Sequence, residues 1–396
     1  MQTRLAPRFH NQPRGREAEA ILRACVHCGF CTATCPTYLD LRDERDGPRG
    51  RIYLIKALLE GGEVGGTTRR HLDRCLTCRS CETTCPSGVR YGRLVDIARE
   101  VMEEDHPRPL LNRLARAALR WVLGNSRRTA VVVGLGRLLG RIPAMVPASP
   151  WPSRRHPRVM LALAGCIQSS ATPNVNAAAA RVLDRLGITL VVAPQAGCCG
   201  AVAHHLGATG DSHAHIKRNI DAWWPAVEAG AEAILPTASG CASMLRDYGA
   251  LLADDPAYAA KAGGIAALVR DPSEVLLAEN LSPLRVAPGE GSVAVHVPCS
   301  QQHALMLPDS VETLLRGLGF RLVPVRDKHL CCGSAGTYSL LEPEMAGRLR
   351  ARKLDALTAG RPATIVTANI GCQMHLGGAS PVPVRHWIEL LDGGEP

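Results

Sequence analysis

Two cysteine strings near the amino terminus decide the fold of the first part of this chain. Residues 25–36 read CVHCGFCTATCP, and residues 75–86 read CLTCRSCETTCP. Both strings follow the pattern C-x2-C-x2-C-x3-C-P, in which three cysteines share one tight turn and a fourth lies just beyond it. Two complete copies of this spacing indicate a pair of sites built from cysteine ligands.

The spacing predicts that the strings hold two 4Fe-4S clusters. Three thiolates on one turn reach three irons of a cubane, and in such two-cluster strings the fourth cysteine ligates the other cluster. We therefore expect one cluster to be bound by Cys25, Cys28, Cys31 and Cys85, and the second by Cys75, Cys78, Cys81 and Cys35. The alternative is a pair of zinc sites, but tetrahedral zinc does not require eight cysteines in two such strings.

Length and composition exclude a small secreted disulfide scaffold. The chain has 396 residues, enough for two or three domains, and its 16 cysteines are far too sparse for such a scaffold. The amino-terminal residues lack the apolar core of a signal peptide, and apolar runs such as 130–135 are too short to span a membrane. We expect a cytoplasmic chain with reduced cysteines.

The positive charge is concentrated in the first part of the chain. Residues 1–157 contain 27 Lys and Arg against 15 Asp and Glu, whereas the remainder has a net charge of −2. Within 107–157 apolar stretches alternate with arginines, namely Arg113, Arg116, Arg120, Arg127, Arg128, Arg137 and Arg141. This segment is interpreted either as a basic amphipathic helix on an anionic membrane or partner groove, or as an interdomain helix with a solvated face.

One glycine pattern in this segment superficially suggests a dinucleotide site. Gly134, Gly136 and Gly140 follow an apolar run, but their spacing is G-x-G-x3-G and no acidic residue follows about 20 positions later. Nicotinamide binding is therefore not supported.

The other eight cysteines form an internal repeat. The set Cys166, Cys198, Cys199 and Cys241 recurs as Cys299, Cys331, Cys332 and Cys372, at offsets of 133, 133, 133 and 131 residues. Each position follows an apolar run, and the runs alternate with helical stretches such as 176–186 and 342–358. This alternation predicts parallel α/β sheets with the cysteines beyond the carboxyl ends of the strands.

These patterns together predict a helical part followed by two α/β repeats. Helices are expected over 50–59, after Pro48, and over about 93–104, with no hairpin signal beside either string. The fold class is therefore α followed by α/β. We expect a helical two-cluster ferredoxin domain at 1–106, a basic amphipathic linker at 107–157, and cysteine-rich Cys-Cys-Gly (CCG) domains at 158–285 and 286–396.

The adjacent cysteine pairs indicate chemistry other than a structural disulfide. Neighbouring cysteines do not easily bridge each other, so Cys198-Cys199 and Cys331-Cys332 are interpreted as paired metal ligands or exchange thiols. Buried inert thiols are the alternative.

A doubled ferredoxin string followed by two CCG repeats resembles the iron-sulfur subunits of glycolate oxidase, also called glycolate dehydrogenase. Related subunits occur in heterodisulfide reductase and anaerobic glycerol-3-phosphate dehydrogenase. The stretches that carry the resemblance include RACVHCGFCTATCPTY from Arg23, DGPRGRIYLIK from Asp46 and HLCCGSAGTYS from His329.

The resemblance implies an electron-transfer subunit with no catalytic residue of its own. A partner subunit containing FAD would oxidise glycolate to glyoxylate, or D-lactate to pyruvate, and electrons would pass through this chain to a quinone or another acceptor. It also implies a hetero-oligomeric complex. The resemblance leaves open whether this complex associates peripherally with the cytoplasmic face of the inner membrane. No nucleic-acid partner is expected.

The resemblance leaves the chemistry of the CCG repeats open. The full family pattern has a fifth cysteine in each repeat, and here Met244 and His375 stand in its place. Imidazole is the better ligand of the two, so His375 joins the CCG cysteines as a candidate for a further cluster or metal. Three function classes follow: an electron-transfer subunit, an enzyme whose CCG pockets reduce a substrate, and a scaffold whose CCG repeats bind zinc or nothing.

Overall fold

Prolines begin most helices of the amino-terminal part, because proline fits the first helical position, where its missing N–H is not needed. The computed structural model describes residues 1–62, 65–139 and 146–393. The described residues before 107 contain no strand and form seven α-helices: α1 Pro7–His10, α2 Pro13–Ala24, α3 Pro36–Leu41, α4 Pro48–Leu59, α5 Gly66–Asp73, α6 Ser80–Thr83 and α7 Tyr91–Asp105. Short 3-10 turns lie at Phe30–Thr32 and Glu44–Asp46.

The expected helices over 50–59 and 93–104 are therefore α4 and α7. These two helices and α2 bury their apolar faces in one core. Leu22, Ile55, Leu59 and Leu94 are fully buried in this core. Burial of each such side chain contributes about 1.5–3 kcal/mol to the stability of the helical part.

The basic segment forms a hairpin of two helices, α8 Leu110–Leu123 and α9 Ser126–Leu138, rather than one amphipathic helix. The chain turns at Gly124, and the side chain of Asn125 caps α9 by accepting hydrogen bonds from the backbone N–H groups of Arg127 (3.0 Å) and Arg128 (3.2 Å). Gly140 and Arg141 lie outside the described residues. No described helix is both long enough and apolar enough to cross a membrane.

The first cysteine-rich unit contains a three-stranded parallel sheet with the order β2-β1-β3. Its strands are β1 Arg158–Leu163, β2 Ile188–Val192 and β3 Ala233–Pro236. Its helices are α10 Gln168–Ala171, α11 Asn174–Arg185, α12 Ala201–His205, α13 Thr209–Glu228, α14 Ser239–Arg246, α15 Tyr248–Leu251, α16 Ala259–Leu268 and α17 Pro272–Ala278.

The second cysteine-rich unit contains a four-stranded parallel sheet with the order β5-β4-β6-β7. Its strands are β4 Val293–His296, β5 Leu322–Val323, β6 Thr364–Thr367 and β7 Val384–His386. Its α-helices are α18 Ser310–Gly317, α19 Tyr338–Leu341, α20 Pro343–Thr358 and α21 Ile370–Gly377; 3-10 turns lie at Ser282–Leu284 and Trp387–Leu391, and a π-turn at Ser300–Ala304. The α/β fold class predicted from the repeat is confirmed.

Two details of the second sheet differ from the sequence pattern. The apolar run over 364–370 is not one strand, because β6 ends at Thr367 and α21 begins at Ile370 after the extended residue Asn369. β7 was not anticipated; its three residues pair with β6 from Ile365 to Thr367. A strand this short offers too few residues for a periodic pattern to be recognised.

The two cysteine-rich units pack against each other through a shared core. Val182 of the first unit and Val295, Val366 and Trp387 of the second are all fully or almost fully buried in it. A polar contact crosses the same interface: Gly240 N–H donates to Asn369 Oδ1 at 3.3 Å.

A buried histidine adds a second polar link between the units. The Nε2 atom of His386 lies 2.8 Å from the backbone oxygen of Thr237, and its Nδ1 accepts from Ile388 N–H at 3.2 Å. One ring nitrogen therefore donates and the other accepts, as in neutral imidazole. Burial lowers the pKa of His386 to about 4.

The helical part contacts both units. Arg79 forms an ion pair with Asp247 of the first unit. In the second unit, the hydroxyl group of Tyr338 donates to the backbone oxygen of Arg74 at 3.2 Å. These contacts place the carboxyl ends of both sheets beside the second cysteine string.

Candidate metal centres

The first cysteine string surrounds a small cavity at the surface of the helical part. Its three turn cysteines are carried on a tight turn in which Gly29 adopts a left-handed conformation (φ 85°). This conformation carries little strain only for glycine. The cavity measures about 30 Å³, and the cysteines that line it are Cys25, Cys28, Cys31, Cys81 and Cys85.

The second string surrounds a matching cavity deeper in the protein. Thr77 and Arg79 have left-handed backbone conformations (φ 52° and 59°), which fold the string around the space. This cavity measures about 20 Å³, and its cysteines are Cys35, Cys75, Cys78 and Cys81. The structure thus brings Cys85 into the cavity of the first string and Cys35 into that of the second, while Cys81 borders both.

Burial and neighbouring thiols raise the pKa of three of these thiols and so disfavour their ionisation in the absence of a cation. Burial, with a contribution from Cys25 and Cys28, raises the pKa of Cys31 to about 11. Burial also raises the pKa of Cys78 and of Cys81 well above the usual value. A bound metal reverses this preference, because thiolate is the form that ligates and its protons are released on binding. The donor sets, cysteines alone around each of the two spaces, are those that iron-sulfur clusters require.

A buried ion pair beside the second cavity was not found from the sequence. Arg51 on α4 and Asp46 are both completely buried, and Arg51 Nη2 lies 3.3 Å from Asp46 Oδ1. Arg51 Nη1 lies 4.0 Å from the sulfur of Cys35. His71 and Arg74 also contact the Asp46 carboxylate, at 3.0 and 3.1 Å. A positive charge is thereby held next to Cys35, the cysteine of the first string that lines the second cavity.

Seven of the eight CCG cysteines line one larger cavity. It measures about 300 Å³ and lies between the helical part and the two cysteine-rich units. Its cysteines are Cys75 and Cys78 of the second string, Cys166, Cys198, Cys199 and Cys241 of the first unit, and Cys299, Cys331 and Cys372 of the second. Every CCG cysteine follows a strand or lies in the helix after it, as the alternating pattern predicted.

Within each unit the thiols contact one another. In the first unit Cys198 is hydrogen-bonded to Cys166 and Cys199, which lowers the pKa of Cys198 well below its usual value. In the second unit the sulfurs of Cys299 and Cys331 are 3.8 Å apart. Thiols of each unit are therefore in contact in pairs.

The glycine of each CCG motif permits the turn that follows the cysteine pair. Gly200 and Gly333 have φ values of 90° and 92°. A Cβ atom on Gly333 would lie 2.7 Å from the backbone oxygen of Ala346. The motif thus requires glycine for both its backbone conformation and the close approach of α20.

The residues at the fifth position of the two repeats, Met244 and His375, differ in their surroundings. Met244 is buried in the core of the first unit and also borders the large cavity. The Nε2 atom of His375 lies 3.2 Å from the backbone oxygen of Ala346. A different histidine, His296, lies close to Cys332 and Cys372, with the three potential ligand atoms within 4.8 Å of one another.

A second cluster of polar side chains lies between α7 and α12. His204 Nε2 and His205 Nδ1 lie 3.1 and 3.3 Å from the two oxygens of Asp96. Burial opposes the charge of Asp96, but both histidines outweigh it and lower the pKa of this carboxyl well below its usual value. This contact joins the helical part to the first cysteine-rich unit.

Comparison with known families matches the same regions. Residues 21–89 match the 4Fe-4S dicluster domain, and residues 160–246 and 293–377 match the cysteine-rich domain. The chain is 53% identical to the glycolate oxidase iron-sulfur subunit of Escherichia coli, over 99% of this chain and 98% of that protein. It is 30% identical to the probable glycolate oxidase iron-sulfur subunit of Bacillus subtilis, over 93% and 92%. It is also 27% identical to lactate utilization protein A of an Exiguobacterium strain, over 58% and 95%.

Proposed function

Because this chain belongs to the family of the glycolate oxidase iron-sulfur subunits, we propose that it is the electron-transfer subunit of a flavin-dependent glycolate dehydrogenase complex. Glycolate is oxidised to glyoxylate with release of two electrons and two protons, and D-lactate is oxidised to pyruvate in the same way. The substrate and FAD are assigned to partner subunits, and a quinone is assigned as the acceptor.

The observation that carries this proposal is a continuous series of cysteine-lined cavities. Cys81 borders the cavities of both strings, and Cys75 and Cys78 border both the second cavity and the large cavity. Two 4Fe-4S clusters, when bound, accept and release single electrons. We assign Cys25, Cys28, Cys31 and Cys85 to one cluster, and Cys75, Cys78, Cys81 and Cys35 to the other.

The residues around the second cavity support an electron-transfer role. The reduced form of a cluster carries one more negative charge than the oxidised form, so the buried Arg51 favours reduction of a cluster held there.

The domain division proposed from the sequence, at 106, 157 and 285, places both strings ahead of the hairpin and one CCG repeat in each later domain.

The hairpin of α8 and α9 supports docking on a cytoplasmic membrane face or a partner. Leu111, Trp121, Val131 and Leu138 are 82%, 60%, 72% and 83% exposed. Arg113 and Arg127 are exposed on the same hairpin. Apolar side chains combined with arginines are suited to an anionic lipid surface. Co-sedimentation with anionic vesicles is expected for the complex and is expected to be lost after Leu111→Asp with Leu138→Asp.

A second candidate function is favoured by the large cavity. Cysteines of both repeats border a space large enough for a small molecule, as a heterodisulfide-reductase-like subunit with chemistry at the CCG pockets would require. Replacement of Cys199 and Cys332 by serine discriminates the two. Loss of a disulfide-reducing activity with electron flow from the flavin intact would establish this second function.

The experiment that tests the main proposal is metal analysis followed by reduction. Anaerobically purified chain is expected to contain at least about eight irons and eight sulfides, enough for the two ferredoxin clusters, and to give a cubane EPR signal with dithionite. In the complete complex, glycolate is expected to produce the same signal, whereas the isolated chain stays oxidised. Zinc without sulfide, or a complex whose clusters stay oxidised in glycolate, would refute the proposal.

A further inference from the structure

One buried histidine of the second cysteine-rich unit has no counterpart in the first. His296 is the last residue of β4, and Leu163 is the last residue of β1, the corresponding strand, 133 residues earlier. Both side chains are almost completely buried. The two repeats therefore carry an imidazole and an isobutyl group at the same place beside their cysteines.

The imidazole of His296 is held at one nitrogen and left without a partner at the other. Its Nδ1 lies 3.0 Å from the hydroxyl oxygen of Thr367 on the neighbouring strand β6. Its Nε2 is buried and has no hydrogen-bond partner among the residues that the structure describes. Buried polar atoms are nearly always paired, so an unpaired ring nitrogen at this depth requires an explanation.

Two cysteines lie beside this ring. A ring nitrogen of His296 and the sulfurs of Cys332 and Cys372 are all within 4.8 Å of one another, and all three residues are buried. His296 ends β4, Cys332 lies in the loop that follows β5, and Cys372 lies on α21 after β6. Since Thr367 occupies Nδ1, Nε2 is the nitrogen that is free to bind. A second hydrogen bond of this kind is how ligating histidines are usually oriented.

The histidine that the spacing of the repeat indicated makes hydrogen bonds to backbone groups, those of Ala346 and Cys332, and not to the thiols. His375 lies three residues after Cys372 on α21, but its Nε2 is directed to the backbone oxygen of Ala346 on α20. It does not belong to the cluster of potential ligand atoms formed by His296 and the two cysteines.

We propose that His296 ligates a metal centre in the second cysteine-rich unit through Nε2, together with the sulfurs of Cys332 and Cys372. Two thiolates and one imidazole suit zinc or iron, either as a single ion or as part of an iron-sulfur cluster. The first unit has Leu163 at this position and therefore cannot form the same centre. This inference rests on the proposed function. The metal and nitrogen signals that test it are distinct from those of the two ferredoxin clusters.

The test compares His296→Leu, which installs the residue of the first repeat, with His375→Leu as the matched control, in the full chain. Iron, zinc and sulfide are measured after anaerobic purification, and any single bound ion is then exchanged for Co²⁺ with the two ferredoxin clusters left in place. For a single ion, the wild type and His375→Leu are expected to bind one metal that His296→Leu binds at least tenfold more weakly. For a cluster, pulsed EPR is expected to show a nitrogen coupling that only His296→Leu loses.

A third variant separates ligation from folding. His296→Cys retains a metal ligand, and we expect it to keep the bound metal while losing the nitrogen coupling or changing the Co²⁺ absorption bands. Thermal unfolding of each variant, compared with that of the wild type, reports whether the second cysteine-rich unit is folded. Unchanged metal content and spectra in His296→Leu, their loss in His375→Leu alone, or a wild-type chain that takes up no metal beyond eight irons would each overturn the proposal.

Discussion

Replacement of the buried Arg51 tests whether the charge beside the second cavity controls both the stability of the chain and the reduction potential of a cluster held there. Arg51 pairs with Asp46 at 3.3 Å, donates from Nε to the backbone oxygen of His71 at 2.7 Å, and lies 4.0 Å from the sulfur of Cys35. Arg51→Met removes the charge and the hydrogen bonds but keeps much of the side-chain volume. Arg51→Lys keeps the charge and loses the planar fork.

The contacts of Arg51 give the expected size of the changes in stability and in reduction potential. Removal of one partner from a buried ion pair costs about 3–5 kcal/mol, because the remaining charge stays buried. Two unit charges 4 Å apart interact by about 4 kcal/mol at an effective dielectric constant of 20. An added electron spreads over a whole cluster, so we take half of this value, about 2 kcal/mol. For one electron this corresponds to a fall in the potential of about 90 mV in Arg51→Met.

The assay is an EPR-monitored redox titration combined with thermal unfolding. Arg51→Lys is expected to keep a potential near that of the wild type while losing part of the stability. Arg45→Met is the matched control, because Arg45 lies nearby in an exposed ion pair with Asp43, where solvent and salt screen its charge. A wild-type potential in Arg51→Met, or an equal fall in Arg45→Met, would refute the reasoning.

Three further predictions concern the ligand sets, the CCG turn and acid stability. We expect the fourth cysteine of each string to ligate the cluster of the other string. The double variant of Cys28→Ser with Cys85→Ser is then expected to keep about four irons, and Cys28→Ser with Cys35→Ser almost none; the reverse result would contradict this arrangement. Gly333→Ala is expected to destabilise the chain by about 1–3 kcal/mol, measured by thermal unfolding, because alanine is strained at positive φ; an unchanged melting temperature would count against the close contact with α20. The pKa of His386 is lowered to about 4 in the folded chain, against about 6.5 in the unfolded chain. Its contribution to stability is therefore complete above pH 6.5 and falls by about 3 kcal/mol as the pH drops to 4. Chemical denaturation at several pH values is expected to show that the free energy of unfolding falls less with acid in His386→Asn than in the wild type. An equal fall in both would exclude this residue as the cause.

Much of the helical part could be predicted from the sequence because its signals are local. The spacing within each string describes one turn of chain, and Pro48 marks the start of α4 without reference to any distant residue. The repeat of cysteines after apolar runs indicated two parallel sheets, since the carboxyl ends of neighbouring strands meet at one edge. Interruption of the basic segment at Gly124 was missed, because its apolar pattern continues on both sides of the turn.

What the sequence by itself determined is the set of cysteines, their repeat and the class of each fold. The tertiary structure alone decided which other side chains meet them. His375 has the expected spacing from Cys372 but its ring bonds to α20, whereas His296 reaches the same thiols from a strand 76 residues before Cys372. Arg51 likewise lies beside the sulfur of Cys35, in the first string, only through the packing of α4. The physical reason is that periodicity and spacing describe neighbours along the chain, while the approach of buried polar groups depends on how whole elements pack.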